Sequence, residues 1–180
     1  LEKWDAEVEK AVAHWGPVYG ISVDPALVHA VIERESGHGM APNYILHGGV
    51  VPEPGGHYSA GPMQVYDDTL KRMNATLDLS ALAQSPAVGI WYGTHELARL
   101  LALFPGDTTR AIAAYNAGSG NANRNAQGRF PNQSYVDAVV GFWNKYRGAI
   151  GTAAASIVPA LVLALGIWFL WSRSRRRATA

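Results

Sequence analysis

Along the first 147 residues, apolar positions recur at helical spacing in runs cut by glycine, proline and aspartate. From Trp4 to Trp15, Val8, Val12 and Trp15 fall on one face, and Gly16-Pro17 predicts the stop. Asp24-Pro25 opens a second helix, with aspartate as N-cap and proline at the first helical position. The run Ala26 to Ile32 follows, and His29 within it reads as a packed or surface histidine rather than a ligand. Ser85-Pro86 repeats the start signal for a helix to about Phe104 that carries Trp91, Leu97, Leu100 and Leu101. Pro105-Gly106 ends it, and Asp107 caps a helix from Thr108 to Ala117. A last soluble helix is predicted from about Gln133 to Tyr146, with Val136, Val139, Val140 and Trp143 on its inner face. No stretch of useful length alternates apolar and polar residues between turn signals, so the domain is predicted to be mainly α. Gly39–Tyr58 and Ser119–Pro131 read as loops on their glycine, proline and asparagine content. Long loops in a compact domain are often lids or binding walls, with tolerated surface insertion as the plain alternative.

The pattern changes at Ala149. From there to Trp171 the chain runs 23 residues without a charge. As a helix this is roughly 35 Å long, enough to cross a hydrocarbon core of about 30 Å. Trp168 and Trp171 lie at its far end, followed by Arg173, Arg175, Arg176 and Arg177. Tryptophan favours the interface, and the excess of arginine over Lys145 and Arg147 on the other flank predicts a cytoplasmic tail. Pro159 inside the span is tolerable in a membrane as a kink. The expectation is therefore three segments: a domain over 1–147, a single transmembrane helix over 148–172 and a basic tail over 173–180. The lipid bilayer is the partner this implies.

Charge is informative once the tail is set aside. Residues 1–172 hold eleven Lys and Arg against fourteen Asp and Glu, which is a poor balance for a nucleic-acid partner. The chain has no cysteine, which excludes disulfides, a thiolate nucleophile and thiolate metal ligation. His38, His47 and His57 follow no zinc spacing, so neither metal nor cofactor is expected. Nothing near Leu1 resembles a signal peptide. An outward-facing domain with an inward tail is economically explained by a leader removed before Leu1, or by delivery inside a virus particle.

Three strings carry the chemistry: Glu33-Arg34-Glu35-Ser36-Gly37, Ser59-Ala60-Gly61-Pro62-Met63-Gln64-Val65 and Ala113-Ala114-Tyr115-Asn116-Ala117-Gly118. Together they supply an acid, an amide and a phenol. Glu35 lies where an apolar helix ends, and partial burial there disfavours the carboxylate and keeps a proton available near neutrality. Glu33, two residues away, points to a different face. A two-carboxylate glycosidase needs a partner acid, and none is clearly nominated. Asp67 and Asp68 are nearest in sequence to the second string, but more simply start the next helix.

In this order, Glu35-Ser36-Gly37, Gly61-Pro62-Met63-Gln64 and Ala114-Tyr115-Asn116-Ala117-Gly118 resemble the lytic transglycosylase family of the soluble-transglycosylase type. The likeness covers about residues 20–147. It implies a lysozyme-like fold and cleavage of bacterial peptidoglycan glycan strands. It makes Glu35 the sole catalytic acid and base, with Ser36 orienting it. Met63 and Gln64 are implied to line the sugar cleft. Tyr115 would position the Glu35 carboxyl or the reacting sugar, with Asn116 beside it, and Tyr135 would face the same cleft. Proline stands at position 62 where the family usually has leucine, and the stretch between Gly37 and Gly61 is longer than usual.

The implied reaction breaks the β-1,4 bond between N-acetylmuramic acid and N-acetylglucosamine and leaves a 1,6-anhydro product. Anchoring confines such an enzyme to wall near one membrane, on its peptidoglycan-facing (periplasmic) side or in a virion membrane. That suits phage entry or an envelope-spanning machine, whose proteins would be further partners. A lysozyme-type hydrolase and a non-catalytic glycan-binding subunit are the alternatives, and the intact Glu35 counts against the second.

Overall fold

The computed structural model describes residues 3–73 and 76–148. Its backbone contacts define two units, Leu1–Asn144 and Lys145–Ala180. In the first, helices α1 (Asp5–Val18), α2 (Pro25–Ser36) and α3 (Pro42–Leu46) precede strands β1 (Val50–Glu53), β2 (His57–Ala60) and β3 (Val65–Tyr66). Helices α4 (Asp67–Arg72), α5 (Leu79–Gln84), α6 (Pro86–Leu103) and α7 (Thr108–Ala117) follow. A final helix, α8, spans 133–148 and so ends in the second unit. Among the described residues no helix is long and apolar enough to cross a membrane. The expected membrane helix lies, except for Gly148, outside the described residues, as does the whole basic tail.

Helix α2 is the centre of the core. Every residue from Ala26 to Ile32 is buried, His29 included, as befits a helix packed on all sides. Its start is as predicted: the Asp24 side chain accepts from the Ala26 N–H at 2.9 Å, and Pro25 takes the first helical position. The end is set by Gly37, in the left-handed region at φ 55°, whose N–H returns to the Glu33 carbonyl at 2.9 Å. Glu35 therefore sits in the last turn of a rigid helix. Around α2, α1 packs on α6, and α6 packs on α5 and α7.

Two expectations need correction. Helix α1 does not stop at Gly16-Pro17 but runs on to Val18. Pro17 lacks the N–H that would donate to the Ala13 carbonyl, and the helix ends one residue beyond it. Gly16 serves another purpose, since a Cβ there would lie 2.9 Å from the Ile21 carbonyl oxygen. Second, Gly39–Tyr58 is not a plain loop. It holds α3, β1 and the first two residues of β2, and a three-stranded antiparallel sheet of order β1-β2-β3 closes it. The strands are two to four residues long, too short for alternation to register in the sequence. Pro52, which argues against a central strand, is tolerated because β1 is an edge strand.

Candidate active site

The three strings converge on one groove. It is a cavity of about 460 Å³ bounded by Glu35 at the end of α2, Glu53, Ser59 and Tyr66 on the sheet, Gln64 in the turn before β3, and the Ala114–Ser119 end of α7. Glu35 is half-buried, yet protein packs densely round its carboxyl. That burial pushes its pKa up from 4.5 to about 7, against the opposing pull of the Tyr135 hydroxyl and the Arg34 cation. The Tyr135 hydroxyl donates to Glu35 Oε1 at 2.5 Å, from the first turns of α8. Burial and the nearby Glu35 charge hold the Tyr135 phenol well above its ordinary range, so it stays a donor. The Arg34 guanidinium lies over the same ring, 5.4 Å from its centroid.

The other residues of the strings fix the walls of the groove. Ser36 is wholly buried; its hydroxyl donates to the Pro62 carbonyl at 2.8 Å and accepts the Gly39 N–H at 3.1 Å. It thus ties the end of α2 to the turn that carries the second string. Met63 has no exposed side-chain surface. It fills the space over Gly93 of α6, where a Cβ would lie 2.5 Å from its sulfur, so it offers the groove no side-chain contact. Its backbone carbonyl instead accepts the Tyr115 hydroxyl at 2.9 Å. The Tyr115 phenol is thereby directed to the second string, while remaining close enough to Glu35 to feel its charge. Gln64 lines the groove in a left-handed conformation at φ 46°. Its side-chain amide donates to the Gly61 carbonyl at 2.9 Å, which leaves the amide oxygen as an acceptor. Asn116 is exposed at the groove, and its side-chain oxygen accepts from Asn132 at 2.9 Å.

Several groove residues lie outside the three strings. Glu53 is the one acid in Gly39–Tyr58, a signal that could have singled it out once that stretch was known to border the site. Glu96 is buried on α6 and bound by Arg99 at 2.8 Å and Arg72 at 3.3 Å. All three face the groove. His57, Asp67 and Asp68 bring ligand atoms within 4.8 Å of one another, the arrangement among the described residues that could hold a metal. The Lys71 ammonium already lies 2.7 Å from Asp68 and 3.6 Å from Asp67, so the chain supplies its own countercharge there.

A protonatable carboxyl at the end of a buried helix, held by a phenol and facing a groove walled by a small sheet, defines a lysozyme-like domain built for acid-assisted bond cleavage. The family model of the transglycosylase SLT domain matches residues 19–135. The chain belongs to that family. Its fold is similar to that of an inactive mutant of lytic transglycosylase Slt from Pseudomonas aeruginosa, solved by X-ray crystallography. The TM-score is 0.55 at 17% sequence identity, over 79% of this chain and 24% of that one.

Proposed function

We propose that the protein cleaves the β-1,4 bond between N-acetylmuramic acid and N-acetylglucosamine without consuming water. The observation that carries this reading is the Glu35 carboxyl, its pKa raised to about 7 by burial and hydrogen-bonded by Tyr135 in an open groove. Such a group is protonated often enough near neutrality to act as an acid, and is then basic enough to recover the proton. Glu35 protonates the glycosidic oxygen as the bond to the anomeric carbon breaks. The muramoyl 6-hydroxyl then attacks that carbon and gives its proton to Glu35, closing the 1,6-anhydro ring and restoring the acid. Gln64 and Asn116 contribute hydrogen-bonding groups to the sugar path. Ser36 and Tyr115 act indirectly, by fixing the Gly61–Gln64 turn against α2 and α7.

The same proposal places the enzyme at a membrane. The charge-free run from Ala149 to Trp171 and the four arginines after it support a C-terminal anchor, with the domain on the peptidoglycan-facing side. An anchored enzyme opens the wall locally, as phage entry or an envelope-spanning machine requires. The test of the chemistry is mass analysis of peptidoglycan digests. Anhydromuramic ends support the reading, and reducing ends overturn it.

A further inference from the structure

The groove contains a second acid that this reaction leaves unused. Glu53 ends β1, half-buried, and borders the same cavity as Glu35. Its charge reaches both Glu35 and Tyr66. The neighbouring acids are occupied: Glu96 by Arg72 and Arg99, Asp68 by Lys71, and Asp67 by His57 at 3.0 Å. Among the described residues no hydrogen bond or ion pair engages the Glu53 carboxylate. Its backbone is nevertheless well fixed, because Glu53 pairs across the strands with His57, which Asp67 holds in turn. A carboxylate fixed at the groove wall without a cation of its own is open to a positive charge arriving in the groove.

Glycosidic cleavage creates such a charge, since the transition state has oxocarbenium character at the anomeric carbon and ring oxygen. We infer that Glu53 is a second catalytic residue, the carboxylate on the sheet side of the groove that stabilises the positive charge developing on the muramoyl ring as Glu35 protonates the leaving oxygen. No bond forms to Glu53 and no proton passes through it; the 6-hydroxyl remains the nucleophile and Glu35 the proton carrier. The inference rests on the proposed transglycosylase reaction. It also assigns β1, the strand within the lengthened Gly37–Gly61 stretch, a part in the chemistry.

The full chain in detergent, as wild type, Glu53→Gln and Glu53→Asp, is assayed on purified peptidoglycan from pH 5 to 9, with products identified by mass. Glu53→Gln is expected to lower kcat about 100-fold with KM nearly unchanged, a loss typical of removing one transition-state charge contact. The anhydro product is expected to persist. The basic limb of the pH profile should move to lower pH, because Glu35 loses the neighbour whose charge raises its pKa. Glu53→Asp should recover part of the rate. A Glu53→Gln rate within twofold of wild type overturns the inference, as does a raised KM with kcat intact. Poor folding of Glu53→Gln leaves Glu53→Asp to decide: a charge-bearing variant with its basic limb unmoved and kcat lowered less than 100-fold supports the inference, and one as inactive as Glu35→Gln overturns it. Reducing ends from wild type would defeat the transglycosylase reading instead, and the two failures are separately visible.

Discussion

Glu35 bears the cost of its own chemistry. Its pKa is about 7 in the folded protein against 4.5 ordinarily, so the native state holds an extra proton between those values. Stability contributed by the neutral acid is complete below pH 4.5 and falls as pH rises towards 7, by on the order of 2–3 kcal/mol. Glu35→Gln keeps an acceptor for Tyr135 and cannot ionise. It should therefore melt several degrees above wild type at pH 8, with the difference vanishing near pH 4, which thermal denaturation at the two pH values checks. Tyr135→Phe removes the hydrogen bond that lowers the Glu35 pKa. It should lower kcat roughly tenfold or more and move the basic limb of the pH profile upward, the reverse of Glu53→Gln. Glu35 and Tyr135 were legible in the sequence because each belongs to a recognisable place in a motif. How Ser36, Met63 and Tyr115 are used was not legible. Their partners lie 26 to 52 residues away, and only the folded chain brings Pro62 and Met63 against them.

Helix α6 lines the groove with Glu96 and Arg99 and shapes it further through two glycines. Gly89 and Gly93, one turn apart, make a notch in which the Gly61–Met63 turn lies. A Cβ on Gly89 would be 2.6 Å from the Pro62 ring, and one on Gly93 would be 2.5 Å from Met63. Gly93→Ala should destabilise the protein by about 1–3 kcal/mol and reduce activity by displacing the carbonyl that receives Tyr115. Urea denaturation alongside the peptidoglycan assay measures both effects. At the start of α7, Asp107 accepts from the Arg110 N–H at 3.0 Å and pairs with Arg124 at 2.6 Å. Those partners hold its pKa well below the usual carboxylate range. Asp107→Ala should cost about 1–2 kcal/mol at pH 7. The deficit should shrink as pH falls through the acid range, because wild type loses the same carboxylate contribution there. Helix starts of this kind were plain from Asp24-Pro25 and Asp107. The sheet was not, because its short strands are specified by pairing with one another rather than by their own pattern.

At the scale of the molecule, motif order alone indicated the family, and the match over residues 19–135 bears it out. The mainly helical architecture was visible in the periodic helices and their start signals, whereas its lysozyme-like character was implied by the resemblance alone. The proposed anchor makes a separate prediction. Full-length chain should sediment with membranes and resist carbonate extraction, whereas a chain ending at Gly148 should not; equal partitioning of the two would remove the anchor from the account.

The most direct test of the central claim is mass analysis of peptidoglycan digested by the full chain beside its Glu35→Gln variant. The account predicts anhydromuramic ends from wild type and none from the variant. Reducing-end products, or anhydro products that survive the substitution, would contradict it.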